Sequence, residues 1–367
     1  MADEVRAAQQ DVSGGRRPRV GIVPPYLLEH VAQHVEEELA ARVRASLLVD
    51  ESHRVGRSET RRRLLGPSVR GAATRRDDGT GPSRSVHDTH GTQQLPGTVV
   101  RREGEPPTGD PAADEAYDGL GATWSLFQQA YGRDSLDGSG LGLDATVHYG
   151  HDYDNAFWDG TQMVFGDGDG VVFHRFTLAV DVIGHELTHG VTELTAGLVY
   201  HGQSGALNES ISDVFGSLVK QHSLGQKADE ADWLIGSGLI KDAPGQALRS
   251  MKAPGTAYDH PLLGKDQQPA TMSGYVVTNS DNGGVHTNSG IPNHAFYLAA
   301  TKIGGNAWET AGTIWYETLR DPRLRPTARF RTFARATLRA AQRLGHDATS
   351  SEYQAVQDAW RQVGIAV

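Results

Sequence analysis

A chain of 367 residues with 38% hydrophobic content is long enough for two or three domains and a sizeable core. The absence of cysteine removes disulfides, thiolate metal sites and a cysteine nucleophile. No stretch approaches the ~20 apolar residues of a membrane span, and a net charge of −10, all of it arising after residue 100, argues against nucleic acid as a partner.

The chain opens with MADEVRAAQQDVSGG, which has no apolar core, so a conventional secretion signal is not expected there. Residues 24–49 start at a proline pair, and Leu27, Leu28, Val31, Val35, Leu39, Val43 and Leu47 recur at near-helical spacing. The pattern predicts one amphipathic helix whose apolar stripe must be covered by the rest of the protein. From Arg54 to about Gly97 the sequence is polar and rich in Arg and Gly, without period, and reads as a protease-accessible linker. A basic run of this kind is ordinarily just solvated.

Between about 98 and 180 the texture is mostly strand and turn, with ATVHYG, QMVFGDGDG and VVFHRF alternating between Gly- and Asp-rich turns. The DGDG at 167–170 lacks the later ligands of a calcium loop and reads as a turn. From Asp181 a helix is predicted for some 17 residues, ending near Gly197, and helices dominate after about 205. They include ALNESISDVFGSLVKQH, HAFYLAATKIG, AWETAGTIWYETL, the arginine-rich FRTFARATLRAAQRLG and SEYQAVQDAWRQVG. The fold class is therefore α+β.

The helix at 181 carries His185-Glu186-Leu187-Thr188-His189. Imidazoles four apart share one helix face and can reach one metal ion, and the glutamate between them can take a proton from a metal-bound water. A catalytic zinc usually has three protein ligands and an open position. A third histidine on the same segment is excluded, because its position in HExxHxxGxxH is Thr195. A glutamate on the next helix is the alternative, and Glu209 lies 20 residues after His189.

HELTHGVTELTAGLVYHGQSGALNESISDVFG resembles the active-site block of the thermolysin family of neutral metallopeptidases. The resemblance continues through YDNAFWDGTQMVFGDGDG, ALRSM and DNGGVHTNSGIPNHAFYLA, and covers roughly residues 95–367. It implies a two-lobed enzyme, with a β-rich N-terminal lobe, a central zinc-binding helix and a mainly helical C-terminal lobe. His185, His189 and Glu209 then resemble the ligands of one zinc ion. Asp213 and Asn208 match the groups that orient the two imidazoles, an arrangement that fixes the tautomer. Glu186 resembles the general base, Tyr200 and His286 the oxyanion donors, and Asp281 the carboxylate that keeps His286 charged. Arg249, Asn155 and the backbone of Ala156 match groups that hold the peptide. Phe173, Phe176, Val182, Ile235 and Leu248 fall where the family lines its main specificity pocket, which implies cleavage before a large hydrophobic residue.

Two departures from the family pattern carry expectations of their own. Asp181 and Asp232 stand at calcium-binding positions, but Lys220, Leu234 and Ser237 replace expected carboxylates, so the paired calcium site is expected to be lost, with Lys220 as local cation. RVGIVPPYLLEHVAQH resembles the short precursor segment of the protealysin-like branch, which implies an intramolecular inhibitor that covers the cleft. A permanent docking arm is the alternative. The expected division is a precursor segment at 1–75, a linker at 76–97, a β-rich lobe at 98–197 and a helical lobe at 198–367. The expected partners are protein or peptide substrates and the N-terminal segment itself, with no nucleic acid, no membrane and a monomeric chain.

Other functions fit less well. A non-catalytic module would lack at least one of Glu186, Glu209, Tyr200 or His286, and all are present. An aminopeptidase needs an acidic anchor for the substrate amine, and no GAMEN-type motif occurs. No G-x-S-x-G stands near a suitable base for a serine hydrolase. The family is mostly secreted, but the start of the chain leaves an intracellular location open.

Overall fold

The structure, a computed structural model, describes residues 21–64 and 81–367, with side chains for 21–50 and 81–367. The parts of the precursor segment and linker at 1–20 and 65–80 lie outside the described residues.

The N-terminal segment forms two helices rather than one: α1 Pro25–His34 and α2 Glu37–Leu64. The chain leaves helical geometry at Val35 (φ −114°, ψ 167°). The break turns two short apolar faces onto the body, and Leu27, Leu28, Val31 and Val43 are buried. The predicted linker is shorter than expected at both ends, since α2 runs to Leu64 and strand β1 (Arg84–Asp88) begins well before residue 97. β1 pairs in parallel with β3 (Leu143–Val147), Val86 opposite Ala145, and antiparallel with β2 (Thr98–Arg102). Long-range pairing orders a polar sequence that has no periodicity of its own.

A further helix, α3 (Pro111–Tyr131), crosses the region read as strand and turn. Its N-cap is Asp110, which accepts from the backbone N–H of Ala112 and Ala113, and Gly132 ends it in the left-handed conformation. Glycines at 119 and 121 weaken its helical pattern in the sequence. Strands β4 (Ala156–Trp158) and β5 (Met163–Phe165) complete a five-stranded sheet in the order β2-β1-β3-β5-β4. VVFHRF is not a strand; it makes a single bridge, Phe173 to Ile240, and runs into a 3-10 turn at Phe176–Leu178. DGDG is a turn, in which Asp169 Oδ1 accepts from the N–H groups of Val171, Val172 and Phe173.

Helix α4 (Val180–Glu193) follows and is buried from Asp181 to Thr192. It ends four residues before Gly197, where the chain turns towards α5 (Gly202–Leu224). The short strands β6 (Leu234–Ile235) and β7 (Arg249–Ser250) pair antiparallel, Ile235 opposite Arg249. Helices α6 (Asp281–Asn288), α7 (Gly290–Ile303), α8 (Thr310–Leu319), α9 (Phe330–Arg343) and α10 (Ser351–Gln362) build the remaining lobe. Edge strand β4 and helices α4 and α5 bring the predicted site residues together.

Candidate active site

The site depends on how closely α4 and α5 cross. A Cβ on Gly216 would lie 2.4 Å from the carbonyl oxygen of Asp181 and 3.0 Å from the backbone N of His185. Glycine there lets α5 lie directly on α4, which brings Glu209 and Asp213 beside the histidine pair.

Hydrogen bonds determine the tautomers of both imidazoles. His185 Nδ1 lies 2.8 Å from Asp213 Oδ1, and an ionised carboxylate only accepts, so Nδ1 donates. His189 Nδ1 lies 2.8 Å from Asn208 Oδ1; the amide nitrogen of Asn208 donates to the Leu198 carbonyl, so its oxygen faces His189 as acceptor. The two Nε2 atoms therefore turn lone pairs towards each other, 3.1 Å apart. Glu209 Oε1 is 3.4 Å from His189 Nε2 and its Oε2 is 3.5 Å from His185 Nε2. That Oε2 is buried and accepts no hydrogen bond among the described residues. The three ligand atoms lie within 4.8 Å of one another, and two imidazoles with a carboxylate are a zinc donor set.

The model of the thermolysin metallopeptidase catalytic domain matches residues 74–193, and that of the alpha-helical domain matches residues 196–365. The chain belongs to the thermolysin metallopeptidase family. It is a zinc endopeptidase. An extracellular metalloprotease of Pectobacterium carotovorum subsp. carotovorum is 52% identical over 356 residues, covering 96% of this chain and 98% of the relative. Protease PrtS of Photorhabdus sp. is 47% identical over 355 residues, covering 95% and 92%. The solved structure of the precursor of protealysin, a metalloproteinase from Serratia proteamaculans, is similar with a TM-score of 0.81 and 52% identity, over 95% of this chain and 100% of that one.

Around this thermolysin-type centre, Glu186 Oε2 accepts from the Trp158 backbone N–H at 2.9 Å, which ties the glutamate to edge strand β4. Tyr200 donates to Glu209 Oε1, and its hydroxyl lies 3.3 Å from His286 Nε2. Asp281 through Gly284 all take left-handed backbone angles, a turn that the sequence Asp-Asn-Gly-Gly suits. The turn swings Asp281 back onto His286, with Oδ1 2.7 Å from Nδ1 and Oδ2 accepting from the backbone N–H. Burial opposes charge on His286, but Glu209 and Asp281 outweigh it and raise its pKa. Burial, followed by the charge of Glu209, pushes the Tyr200 phenol well above its usual value.

Arg249 is buried and pairs with Asp213 through Nε to Oδ2 and Nη2 to Oδ1, each at 2.8 Å. Burial would raise the Asp213 pKa, yet Arg249 and His185 hold it well below the usual carboxylate range. The remaining Arg249 nitrogen, Nη1, donates to the carbonyl of Ile22 at 2.9 Å. Ile22 N–H donates to the Ala156 carbonyl at 3.1 Å. Asn155 clasps Val23, accepting from its N–H at 3.0 Å and donating to its carbonyl at 3.2 Å. Ile22 and Val23 are buried in the same apolar cluster as Phe173, Phe176, Val182, Ile235 and Leu248.

Lys220 Nζ lies 2.8 Å from Asp232 Oδ2 and 3.3 Å from Asp181 Oδ2. Burial would lower the Lys220 pKa, but Asp181 and Asp232 raise it. Leu234 donates its backbone N–H to Asp232 Oδ1, and Ser237 is only partly buried.

Sequence reasoning missed two contributors. Asn293 donates to Asp213 Oδ2 at 2.8 Å, and its presence in the quoted GIPNHAF was the available signal. Asp50, buried on α2, accepts from the Tyr153 hydroxyl and, at 2.9 Å, from the Asn155 amide. No local pattern marks Asp50, because its partners are about a hundred residues away.

Proposed function

We propose that this endopeptidase is made as a latent precursor whose own N-terminal segment occupies the substrate cleft. The observation that carries this is the pairing of Ile22 and Val23 with Ala156, Asn155 and Arg249. The segment adds to the edge of β4 as a peptide strand would, and its main-chain groups use the protein groups that hold substrate. Gly21 fits the close approach, since a Cβ there would lie 2.3 Å from Asn155 Oδ1 and 2.4 Å from the Ala156 carbonyl oxygen. Asp50, which braces Asn155 from α2, couples the cleft to the rest of the precursor segment. A substrate in this register places a large apolar side chain where Ile22 lies, which supports cleavage before such residues.

His185, His189 and Glu209 would hold a zinc ion, which would supply a Lewis acid and lower the pKa of a bound water from ~16 towards ~7. Glu186, held by Trp158, takes the proton of the attacking water and returns it to the leaving amine. Tyr200 and His286 donate to the oxyanion as it forms, and Asp281 favours the charged donor form of His286. Asp213 and Asn208 hold both histidines in the ligating tautomer.

Full-length protein and its Glu186→Ala variant, each with and without a zinc chelator, test the reading by casein hydrolysis and by N-terminal sequencing. Wild type is expected to gain activity as it is cut between Leu64, where α2 ends, and Arg84, where β1 begins. The variant is expected to stay whole and inactive. Full activity without loss of the segment would sink latency, and equal activity in both proteins would sink the role of Glu186.

We infer also that no paired calcium site is present, because the Lys220 ammonium lies between Asp181 and Asp232 and repels a divalent cation. Two tightly bound calcium ions per chain by metal analysis would overturn this. The extracellular description of a relative supports action outside the cell.

A further inference from the structure

Residues 320–343 hold eight arginines, one aspartate and no lysine or glutamate, a local net charge of +7 in a chain of −10. Arg331, Arg335, Arg339 and Arg343 are spaced four apart along α9, where like charges on neighbouring turns oppose helix formation. Asp321 relieves one end only, pairing with Arg323 and Arg343 at 2.9 and 3.0 Å and lying 4.0 Å from Arg339. At the other end Arg325, Arg329 and Arg335 are exposed and make no ion pair among the described residues. Two of them precede the first turn of α9, where the helix dipole is already positive.

This uncompensated end lies beside the catalytic cleft. The Val199 N–H donates to the Pro326 carbonyl at 2.8 Å, and the Phe330 N–H donates to Gln203 Oε1 at 3.0 Å, on either side of Tyr200. The Tyr275 ring lies 6.2 Å from that of Phe330, in the segment that leads to Asp281 and His286. Positive charge that no ion pair among the described residues neutralises therefore borders the Tyr200 side of the site.

We propose that Arg325, Arg329 and Arg335 form an exosite that recruits acidic segments of protein substrates to the cleft. An extended acidic peptide is favoured over a membrane or duplex DNA because the patch borders the Tyr200 side of a site that cleaves polypeptide chain. Arginine suits this task, since its fork matches carboxylate geometry. The proposal rests on the endopeptidase reading for its substrate, but the binding of acidic peptide does not depend on turnover.

Full-length Glu186→Ala protein, which keeps the arginines and is expected not to process itself, is titrated with a fluorescein-labelled ten-residue Glu-rich peptide and with its Gln counterpart. The Glu peptide is expected to bind about tenfold more tightly at 50 mM salt, an advantage lost by 500 mM. Adding Arg325→Gln, Arg329→Gln and Arg335→Gln together should abolish the advantage, and Lys at the same three positions should restore most of it. Equal binding of the two peptides overturns the exosite, as does tighter binding of duplex DNA or phosphatidylserine vesicles through the same arginines. In a second arm, wild type that has completed its own processing cleaves peptides with one apolar cleavage site and a Glu or Gln tail. The ratio of kcat/KM for the two is expected near ten and near one in the triple Gln variant. A ratio of one in wild type overturns recruitment, whereas failure to cleave either peptide strikes the endopeptidase reading and leaves the binding arm to decide the patch.

Discussion

Helix α4 has two charged sites, and they are solved in opposite ways. Around His185 and His189, two imidazole lone pairs and the Glu209 carboxylate converge, and among the described residues no lysine or arginine pairs with Glu209. One turn earlier, Asp181 meets Lys220, an ammonium supplied by α5 itself. Buried acceptors of one sign need a counter-charge, and whether the chain supplies it decides whether a site takes an ion or is complete without one.

The sharpest way to break this contrast is to remove one charged group from each site, an acceptor from the first and the cation from the second. Glu209→Ala is expected to lose zinc and to lower kcat/KM by more than about a thousandfold, read by metal analysis and peptide cleavage. Gly216→Ala reaches both sites together, because its Cβ would press on Asp181 and His185. It should cost about 3 kcal/mol in urea unfolding and weaken zinc retention. Zinc loss without destabilisation would mean that the crossing is not as tight as the distances require.

Lys220→Met leaves Asp181 buried without its cation and is expected to cost about 2–3 kcal/mol with zinc content unchanged. Lys220→Glu turns the same place into a third carboxylate, so millimolar calcium should raise the Tm of that variant and not of wild type. If calcium stabilises wild type equally, the completed-site half of the contrast is wrong.

The smallest effect is expected at His148, which lies between Asp167 and Asp110 at 2.9 Å from each. Its hydrogen bond to Asp167, opposed by burial and aided by Asp110, raises its pKa from 6.5 to about 9. A raised pKa means that the charged form stabilises the fold below pH 6.5 and that this contribution is lost as pH rises through about 9. The pair is partly exposed, so the contribution is under about 1 kcal/mol. His148→Gln should flatten the fall in Tm between pH 7 and 10.

Much of the site was legible because its parts sit in short, chemically distinctive strings. His185, Glu186 and His189 are joined by helical spacing alone, and Thr195 excluded a third histidine on the same segment. The resemblance supplied Tyr200, Arg249 and His286, and the structure brings Tyr200 and His286 to Glu209 and joins Arg249 to His185 through Asp213. The strand at Arg84–Asp88 was not legible, because its order comes from pairing with residues near 145. Helix α3 was missed because glycines blur its periodicity, although Asp110-Pro111 marks its start.

The sequence by itself determined what is local: the donor types, their spacing on one helix, the absence of thiols and the presence of a lysine at 220. Only the tertiary structure decided which groups meet. It set the two imidazole lone pairs 3.1 Å apart, gave Arg249 to both Asp213 and the Ile22 carbonyl, and put Asp50 against Asn155. Chemical identity is carried residue by residue, whereas charge balance is a property of neighbours, and here Lys220 meets Asp181 from 39 residues away and Arg249 meets Asp213 from 36.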